Sequence, residues 1–491
     1  MAEPRALTGW GRTAPSVARV TDPAKADPVE AIEEVLASAG ERGVVARGLG
    51  RSYGDAAQNG GGDVIDMTGL DRIVDVDLAR AEAVVEAGVS LDRLMRTLVP
   101  LGLWPMVTPG TRYVTVGGAI GSDVHGKNHH RDGTFGAHVR AIEMVTPARG
   151  RVTLTPESHP DEFWATTGGM GLTGVVHRAT IELLPIETSA IRVDSWRTTD
   201  LDQTMTLMAD NDHRYRYSVA WIDCLARGAS LGRSVVEFGE HATRDDLPAA
   251  KRPAGRALRF SPRDSLPAPP WAPSGLLNRW TVAAFNELWY RKSRRHTEGH
   301  VVPASSFFHP LDLVDGWNRI YGARGFLQYQ FVLPDGAETV LRSIIEDLVE
   351  ERAASFLAVL KRFGPSNHAP LSFPSAGWTL ALDLPVAYGP LAGLLDRTDD
   401  RVVEAGGRVY LAKDSRVRPE LLETMYPALA RWREVRDRMD PRHVMSSDLM
   451  RRLPALAGPT HRAVGSGARA HPLAREEGLV TGGAGTRGGD R

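Results

Sequence analysis

Three glycine-dense tracts within the first 180 residues constrain this chain more than any other feature. The first, residues 47–62, reads Arg-Gly-Leu-Gly-Arg-Ser-Tyr-Gly-Asp-Ala-Ala-Gln-Asn-Gly-Gly-Gly and follows a short β-type run, Val44-Val45-Ala46. Glycine lets successive N–H groups turn toward one point with no Cβ in the way, the geometry that holds a phosphate. A Rossmann fingerprint needs Gly-x-Gly-x-x-Gly opening a helix. Here the third glycine comes one residue late (Gly48, Gly50, Gly54), and the stretch from Asp55 to Gly62 is a poor helix start. The spacing predicts a diphosphate cradle that is not a Rossmann turn. The second tract runs from Pro109-Gly110 to Gly136, and the third is Gly168-Gly169-Met170-Gly171-Leu172-Thr173-Gly174. Any one of them reads equally well as a tight turn between short strands; together they predict one extended ligand passing several loops.

With 491 residues the chain has room for two or three domains. A net charge of −1 removes the global electrostatic reason to expect a nucleic-acid partner. Cys224 is the only cysteine, so no disulfide forms within the chain, no cysteine-based zinc site is available, and the composition fits a reducing compartment. The N-terminal residues lack the apolar core of a signal peptide, and no run reaches the roughly 18 apolar residues of a spanning helix. The expected location is cytoplasmic, with peripheral membrane contact open and the periplasmic face not ruled out.

Local signals place the elements. Asp27 as N-cap, Pro28 at the first helical position and Glu30 completing a capping box predict a helix with Val29, Ile32, Val35 and Leu36 inward and a stop at Gly40. Strands are expected at 44–46, 73–76 and 83–87, a helix from Ser90, a hairpin of 139–145 with 152–154, and a strand at 179–184. Short strands separated by helices indicate an α+β arrangement. From about residue 189 further strand-like runs (217–222, 328–332, 379–384) and a helical run (339–350) predict a second domain on an antiparallel sheet. Residues 261–275 are proline-rich, and Trp280, Phe285, Leu288, Trp289 and Tyr290 precede the basic run Arg291-Lys292-Ser293-Arg294-Arg295-His296. Read functionally, about 261–300 is a mobile lid meeting a membrane surface or anionic lipid; read plainly, it is an irregular surface excursion. The stretch from Pro454 to Arg491 has nine glycines and no Phe, Trp or Tyr, which predicts disorder.

Within the second tract, His125, His129, His130 and His138 raise the question of a metal site. Glycine around Gly126 argues against the helix that would align His125 with His129, and no carboxylate stands at helical spacing, so no metal is expected. The favoured reading packs glycine backbone against a flat cofactor, with His125 and Lys127 facing its edge.

These residues carry a family resemblance. The stretch 47–55, Thr-Val-Gly-Gly-Ala-Ile (115–120), His-Gly-Lys-Asn-His-His (125–130) and Gly-Leu-Thr-Gly (171–174) are similar to the FAD-binding domain of the vanillyl-alcohol-oxidase (PCMH) type. Glu-Leu-Trp-Tyr-Arg-Lys-Ser (287–293), Gly-Phe-Leu-Gln-Tyr-Gln-Phe (325–331), Lys-Arg-Phe-Gly-Pro (361–365) and Ala-Lys-Asp-Ser-Arg (412–416) resemble one branch of it. That branch oxidises the 2′-hydroxyl of decaprenylphosphoryl-β-D-ribofuranose to a ketone, the first half of epimerisation to decaprenylphosphoryl-arabinose for cell-wall arabinan. The likeness runs from about Gly9 to Leu453.

The resemblance implies a two-domain α+β fold: an FAD domain over 1–188, a substrate domain over 189–407, and a segment over 408–453 returning to the FAD domain. It implies that Ala46, Arg47, Gly48, Leu49, Gly50, Arg51, Ser52, Tyr53, Gly54, Asp55 and Ala56 wrap the FAD diphosphate. Gly110, Thr115, Val116, Gly117, Gly118, Ser122, Asp123, Val124 and His125 contact the rest of the cofactor, with Val176 and Tyr410 completing its site. The chemistry agrees, because N–H groups and the charge of Arg47 or Arg51 suit a dianionic diphosphate. Some relatives attach FAD through a histidine of the first loop; Tyr53 stands in that neighbourhood here, so FAD is expected to be non-covalent. Lys413, His125, Tyr53, Gln328, Gln330 and Lys361 are implied around the reacting sugar and isoalloxazine. A short-chain-dehydrogenase-type keto-reductase is the implied partner. Two departures stand out. Thr379 and Ala381 replace an asparagine and the cysteine that thiol-directed nitroaromatic inhibitors capture in several members, and Phe308 stands where a tyrosine is common. A soluble aldonolactone or alditol oxidase is the alternative enzyme, a flavin-binding scaffold without turnover the alternative class, and a metal-dependent hydrolase the most distant reading.

Overall fold

The computed structural model describes residues 3–262, 266–268, 277–353, 355–386 and 390–458. Two sheets come from the N-terminal part. The first has four strands in the order Glu3–Leu7, Ser16–Thr21, Asp63–Asp66, Val44–Arg47, the last two pairs parallel. The second is antiparallel, in the order Ile73–Asp77, Glu82–Glu86, Val175–Pro185, Val139–Thr146, Gly150–Leu154, with Leu103–Pro105 also pairing to Val175–Pro185. The first helix is Pro28–Ala37, and the Asp27 carboxylate accepts from Val29 N and Glu30 N, which satisfies two of its unpaired N–H groups. It ends at Ser38 rather than at Gly40. Ser90 caps the Leu91–Leu98 helix, whose Leu91, Leu94, Met95 and Leu98 are all buried.

The third sheet positions the site. It is antiparallel, with eight strands in the order His296–Pro303, Ala190–Thr198, Ser234–His241, Tyr217–Ile222, Ala358–Phe363, Gly377–Pro385, Phe326–Pro334, Arg408–Val409. Strand side chains alternate between faces. In Phe326–Pro334 this puts Gln328 and Gln330 on one face and Tyr329 and Phe331 on the other. The register sets Gln328 opposite Asp383, Gln330 opposite Ala381, and Lys361 opposite Thr379.

Two segments differ from the sequence expectation, and one carried none. Val116–Gly121 is a short helix, capped by Thr115 Oγ1 accepting from Gly118 N, because Val116, Ala119 and Ile120 all find places in the core. Part of the expected lid is anchored: Arg279–Lys292 is a helix whose buried Asn286 donates to Asp223 Oδ1 at 2.7 Å, while His296–Pro303 is the edge strand of the large sheet. The rest of that lid, 263–265 and 269–276, lies outside the described residues. Pro454–Leu456 forms a 3₁₀ turn with Leu456 fully buried, and the Arg436 guanidinium donates to the carbonyls of Leu456 and Ala457. Disorder therefore does not begin at Pro454; 459–491 lie outside the described residues.

Candidate active site

One long cavity runs between the glycine loops and the face of the eight-stranded sheet that carries Gln328 and Gln330. Its loop wall contains Ala46, Arg47, Gly48, Leu49, Gly50, Arg51, Ser52, Tyr53 and Ala56 from the first tract. Gly110, Thr115, Gly117, Gly118, Ser122, Val124, His125 and Lys127 follow from the second, and Met170, Gly171, Gly174 and Val176 from the third. Tyr410, Ala412 and Lys413 also line the cavity. The loops meet closely. A Cβ on Gly48 would stand 2.2 Å from Thr115 Oγ1, so the first tract packs against the second only as glycine there, and one on Gly117 would stand 3.0 Å from Ala87 Cβ. At Gly110 and Gly171, by contrast, no protein atom lies within 4 Å of such a Cβ.

The sheet wall is chemically divided. Its polar end brings together Gln328, Gln330, Lys361, Lys413, His125 and Tyr53. Gln328 Nε2 donates to Asp383 Oδ1 at 2.5 Å, and Tyr321 Oη donates to Asp383 Oδ2 at 3.4 Å. Gln330 Nε2 lies 3.1 Å from His125 Nε2, and Lys361 Nζ 3.2 Å from His125 Nδ1. Burial pushes Lys413 down and Asp383 up, and each opposes that shift in the other. Burial, then the charges of Lys361 and Lys413, hold His125 well below its ordinary range. Burial, then Lys413 and Lys127, lower Lys361 in the same way, and burial followed by the Asp383 charge raises Tyr53.

Beyond Gln330 the wall turns apolar. The strand register sets Gln330, Ala381, Val359, Trp221 and Val235 side by side across five strands, and the last four line the same cavity. At about 4.8 Å per strand that row spans roughly 19 Å. Leu357 and Trp289 flank it, and Trp289 is 41% exposed on the Arg279–Lys292 helix.

Four residues expected at the cofactor lie away from the cavity wall. Gly54 packs on backbone, its would-be Cβ only 1.9 Å from the Asp414 carbonyl oxygen. Asp55 holds Arg452 in a two-bond ion pair at 2.8 and 2.9 Å. Val116 is a fully buried core residue. Asp123, also fully buried, accepts from Ser372 Oγ, Asn367 Nδ2 and Gly136 N and so ties the second tract to a distant loop. A loop that wraps a ligand must also fasten to the protein: Gly54 does so through close backbone packing, and Asp55, Val116 and Asp123 through side chains turned into the protein.

The two arginines of the first tract differ as well. Arg47 donates to the carbonyls of Thr8 and Ala57, whereas the Arg51 guanidinium lies 3.9 Å over the Trp10 ring with Nε buried and carrying no hydrogen bond among the described residues. Of the four histidines His125, His129, His130 and His138, His125 alone lines the cavity. His129 Nδ1 accepts from Gly364 N, His130 Nε2 meets the Tyr215 carbonyl, and His138 meets Glu182. Lys127 donates to the Phe307 carbonyl at 2.6 Å and lies 3.9 Å over its ring.

Comparison with known proteins interprets this geometry. Residues 19–155 match the family described as FAD binding domain, and residues 392–453 that described as D-arabinono-1,4-lactone oxidase. The decaprenylphosphoryl-beta-D-ribose oxidase of Mycolicibacterium smegmatis is 48% identical over 92% of this chain and 97% of its own length. The chain belongs to that oxidase family. A Streptomyces coelicolor protein, described as an uncharacterized protein in the mprA 5′ region, is 43% identical over 74% of this chain and all of its own. The L-gulono-1,4-lactone dehydrogenase of Mycobacterium tuberculosis is 26% identical over 86% and 93%. The fold is thus the two-domain vanillyl-alcohol-oxidase type, and the protein is an FAD-dependent oxidoreductase. The cavity fits FAD: buried Arg51 Nε, Gln328 Oε1 and Gln330 Oε1 on its wall carry no hydrogen bond among the described residues, and Gly110 and Gly171 leave open space where a side chain would stand.

Sequence reading missed Asp383 and the apolar row. Asp383 carried a signal, as the one charge in the strand Gly377–Pro385. The row carried none, because it exists only across strands.

Proposed function

We propose that this oxidase-family member oxidises the 2′-hydroxyl of a polyprenylphosphoryl ribose, decaprenylphosphoryl-β-D-ribofuranose, to the 2′-ketone that precedes the arabinose epimer used for cell-wall arabinan. The observation that carries this reading is the divided sheet wall. A cluster of lysines and glutamines that suits a phosphosugar passes directly into an apolar row of roughly 19 Å, a length that takes several isoprene units. A soluble aldonolactone oxidase needs the first half of that wall and has no use for the second.

Bound FAD supplies the two-electron acceptor for the C2′ hydrogen. The protein's part is to hold the sugar and move the hydroxyl proton. Lys413, lowered by burial, is the amine that takes this proton, and Asp383 beside it stabilises the ammonium that results. Gln328, with its amide N–H bound to Asp383, turns Oε1 to the cavity as an acceptor for a sugar hydroxyl. Lys127 adds positive charge at the wall for the phosphate. Tyr53 in the first loop offers no imidazole for a flavin bond, so FAD is held non-covalently, and acid precipitation should release all flavin to the supernatant.

Among the described residues no helix is long and apolar enough to cross a membrane. Access to a lipid substrate is proposed through peripheral contact by the Arg279–Lys292 helix, where Trp280, Leu288 and Trp289 are exposed beside Arg291 and Lys292. A short-chain-dehydrogenase-type keto-reductase is the proposed partner, because a 2′-ketone requires hydride return to give the epimer. Anaerobic mixing with polyprenylphosphoryl ribose should bleach the flavin and yield the 2′-keto product. Bleaching by free aldonolactones and not by the lipid-linked sugar would move the assignment to the lactone oxidases, and a spectrum that stays oxidised with both would leave a scaffold.

A further inference from the structure

Hydrogen-bond polarity along the sheet wall determines the protonation state of His125. Thr379 Oγ1, fully buried, lies 2.7 Å from the Phe331 carbonyl oxygen and 3.0 Å from the Gln330 amide nitrogen. A carbonyl oxygen only accepts, so the single hydroxyl proton of Thr379 points at Phe331. Only lone pairs on Oγ1 then remain for Gln330, and the Gln330 group facing them must be the NH₂. With the opposite amide orientation, two oxygens would face each other at 3.0 Å with no proton between them.

The same NH₂ lies 3.1 Å from His125 Nε2, which must therefore accept. A neutral imidazole that accepts at Nε2 carries its proton on Nδ1. Lys361 Nζ faces that nitrogen at 3.2 Å, where an ammonium would set N–H against N–H. We propose that Thr379 is a positioning residue which, through the Gln330 amide, fixes His125 as the neutral Nδ1–H imidazole and sets Lys361 opposite it as the free amine.

The surroundings agree. Phe363, Tyr410 and Phe373 rings stand within 5.9 Å of the His125 ring, and the charged or titratable groups acting on it are Lys361, Lys413 and His129, none of them an anion. Burial lowers both His125 and Lys361. The consequence for catalysis rests on the sugar-oxidation reading: with both ring nitrogens engaged, His125 orients and does not take the hydroxyl proton, a task that falls to Lys413. The tautomer itself does not depend on that reading.

The test is ¹⁵N NMR of the FAD-loaded protein labelled at the histidine rings, without substrate and at about neutral pH, with His125 assigned from its disappearance in His125→Asn. The expected spectrum has a protonated Nδ1 and a bare Nε2. Thr379→Val removes the hydroxyl at nearly constant shape and should release the amide, moving His125 partly or wholly to the Nε2–H form, whereas Thr379→Ser should keep the wild-type signal. Should Thr379→Val lose FAD or fail to fold, Gln330→Glu replaces the NH₂ with an acceptor and should force a proton onto Nε2. A wild-type His125 protonated at Nε2, or an unchanged signal in Gln330→Glu, would overturn the assignment. Because no substrate is present, failure here is separable from failure of the flavin-bleaching experiment.

Discussion

Replacing Gly54 with alanine probes how the first glycine tract is coupled to the segment bearing Lys413. Gly54 is not at the cavity wall; it abuts the Asp414 backbone, and the adjoining Tyr53 N donates to the Ala412 carbonyl at 3.0 Å. An alanine Cβ would stand 1.9 Å from the Asp414 carbonyl oxygen and 3.0 Å from Ser415 Cβ. Ordinary non-bonded separation is roughly 3.5 Å, so the two segments must part by more than about 1 Å. The closest clash partner, the Asp414 carbonyl group, is backbone and cannot rotate aside as a side chain would. Overpacking of this kind costs about 1–3 kcal/mol of stability. Displacing Lys413 by about 1 Å relative to the reacting sugar should slow proton removal by about 100-fold, equivalent to about 2.7 kcal/mol of barrier. The expected variant keeps its flavin, since Gly54 makes no part of the wall, melts at lower temperature, and shows a stopped-flow rate of anaerobic flavin reduction about 100-fold below wild type. A variant that loses FAD but reduces what remains at the wild-type rate would refute the coupling and return Gly54 to the cofactor.

Three further outcomes are expected. Gly110→Ala, with no protein atom within 4 Å of the new methyl, should leave apoprotein stability unchanged while weakening FAD in a fluorescence titration. Burial, then the charges of Arg112 and Lys127, hold His309 down to about 3, whereas an unfolded histidine titrates near about 6.5. The folded form refuses the proton, so its contribution is intact above about pH 6.5 and is lost as pH falls, at about 1.36 kcal/mol per pH unit. His309→Gln should remove about that slope from denaturant-derived stability measured between about pH 6.5 and 5; an unchanged slope would mean His309 is not buried neutral. Ala381 lines the cavity without a thiol, and Cys224 is buried with its thiol pushed up, so turnover with a nitroaromatic inhibitor should add no mass to the protein.

The sequence by itself determined the cofactor class and pointed to several of the polar residues that line the cavity. Glycine spacing is local, and the late third glycine at Gly54 excludes a Rossmann turn without any knowledge of the fold. Alternation is local too, and Gln328 and Gln330, two residues apart in a strand, had to share a face. Tertiary structure decided the rest, because it depends on partners far along the chain. Nothing near Asp55 shows that it pairs with Arg452, and nothing in the second tract shows that Asp123 serves Ser372 and Asn367 rather than the cofactor. The apolar row from Ala381 through Val359 and Trp221 to Val235 arises from register between strands whose paired residues lie up to 138 positions apart, and a slip of one residue would turn each of its side chains to the other face. His125 shows the division most clearly. Its tract marks it as a residue at the cofactor, but its proton is placed by Thr379 and Gln330, which reach it only once the eight-stranded sheet has closed over the loop.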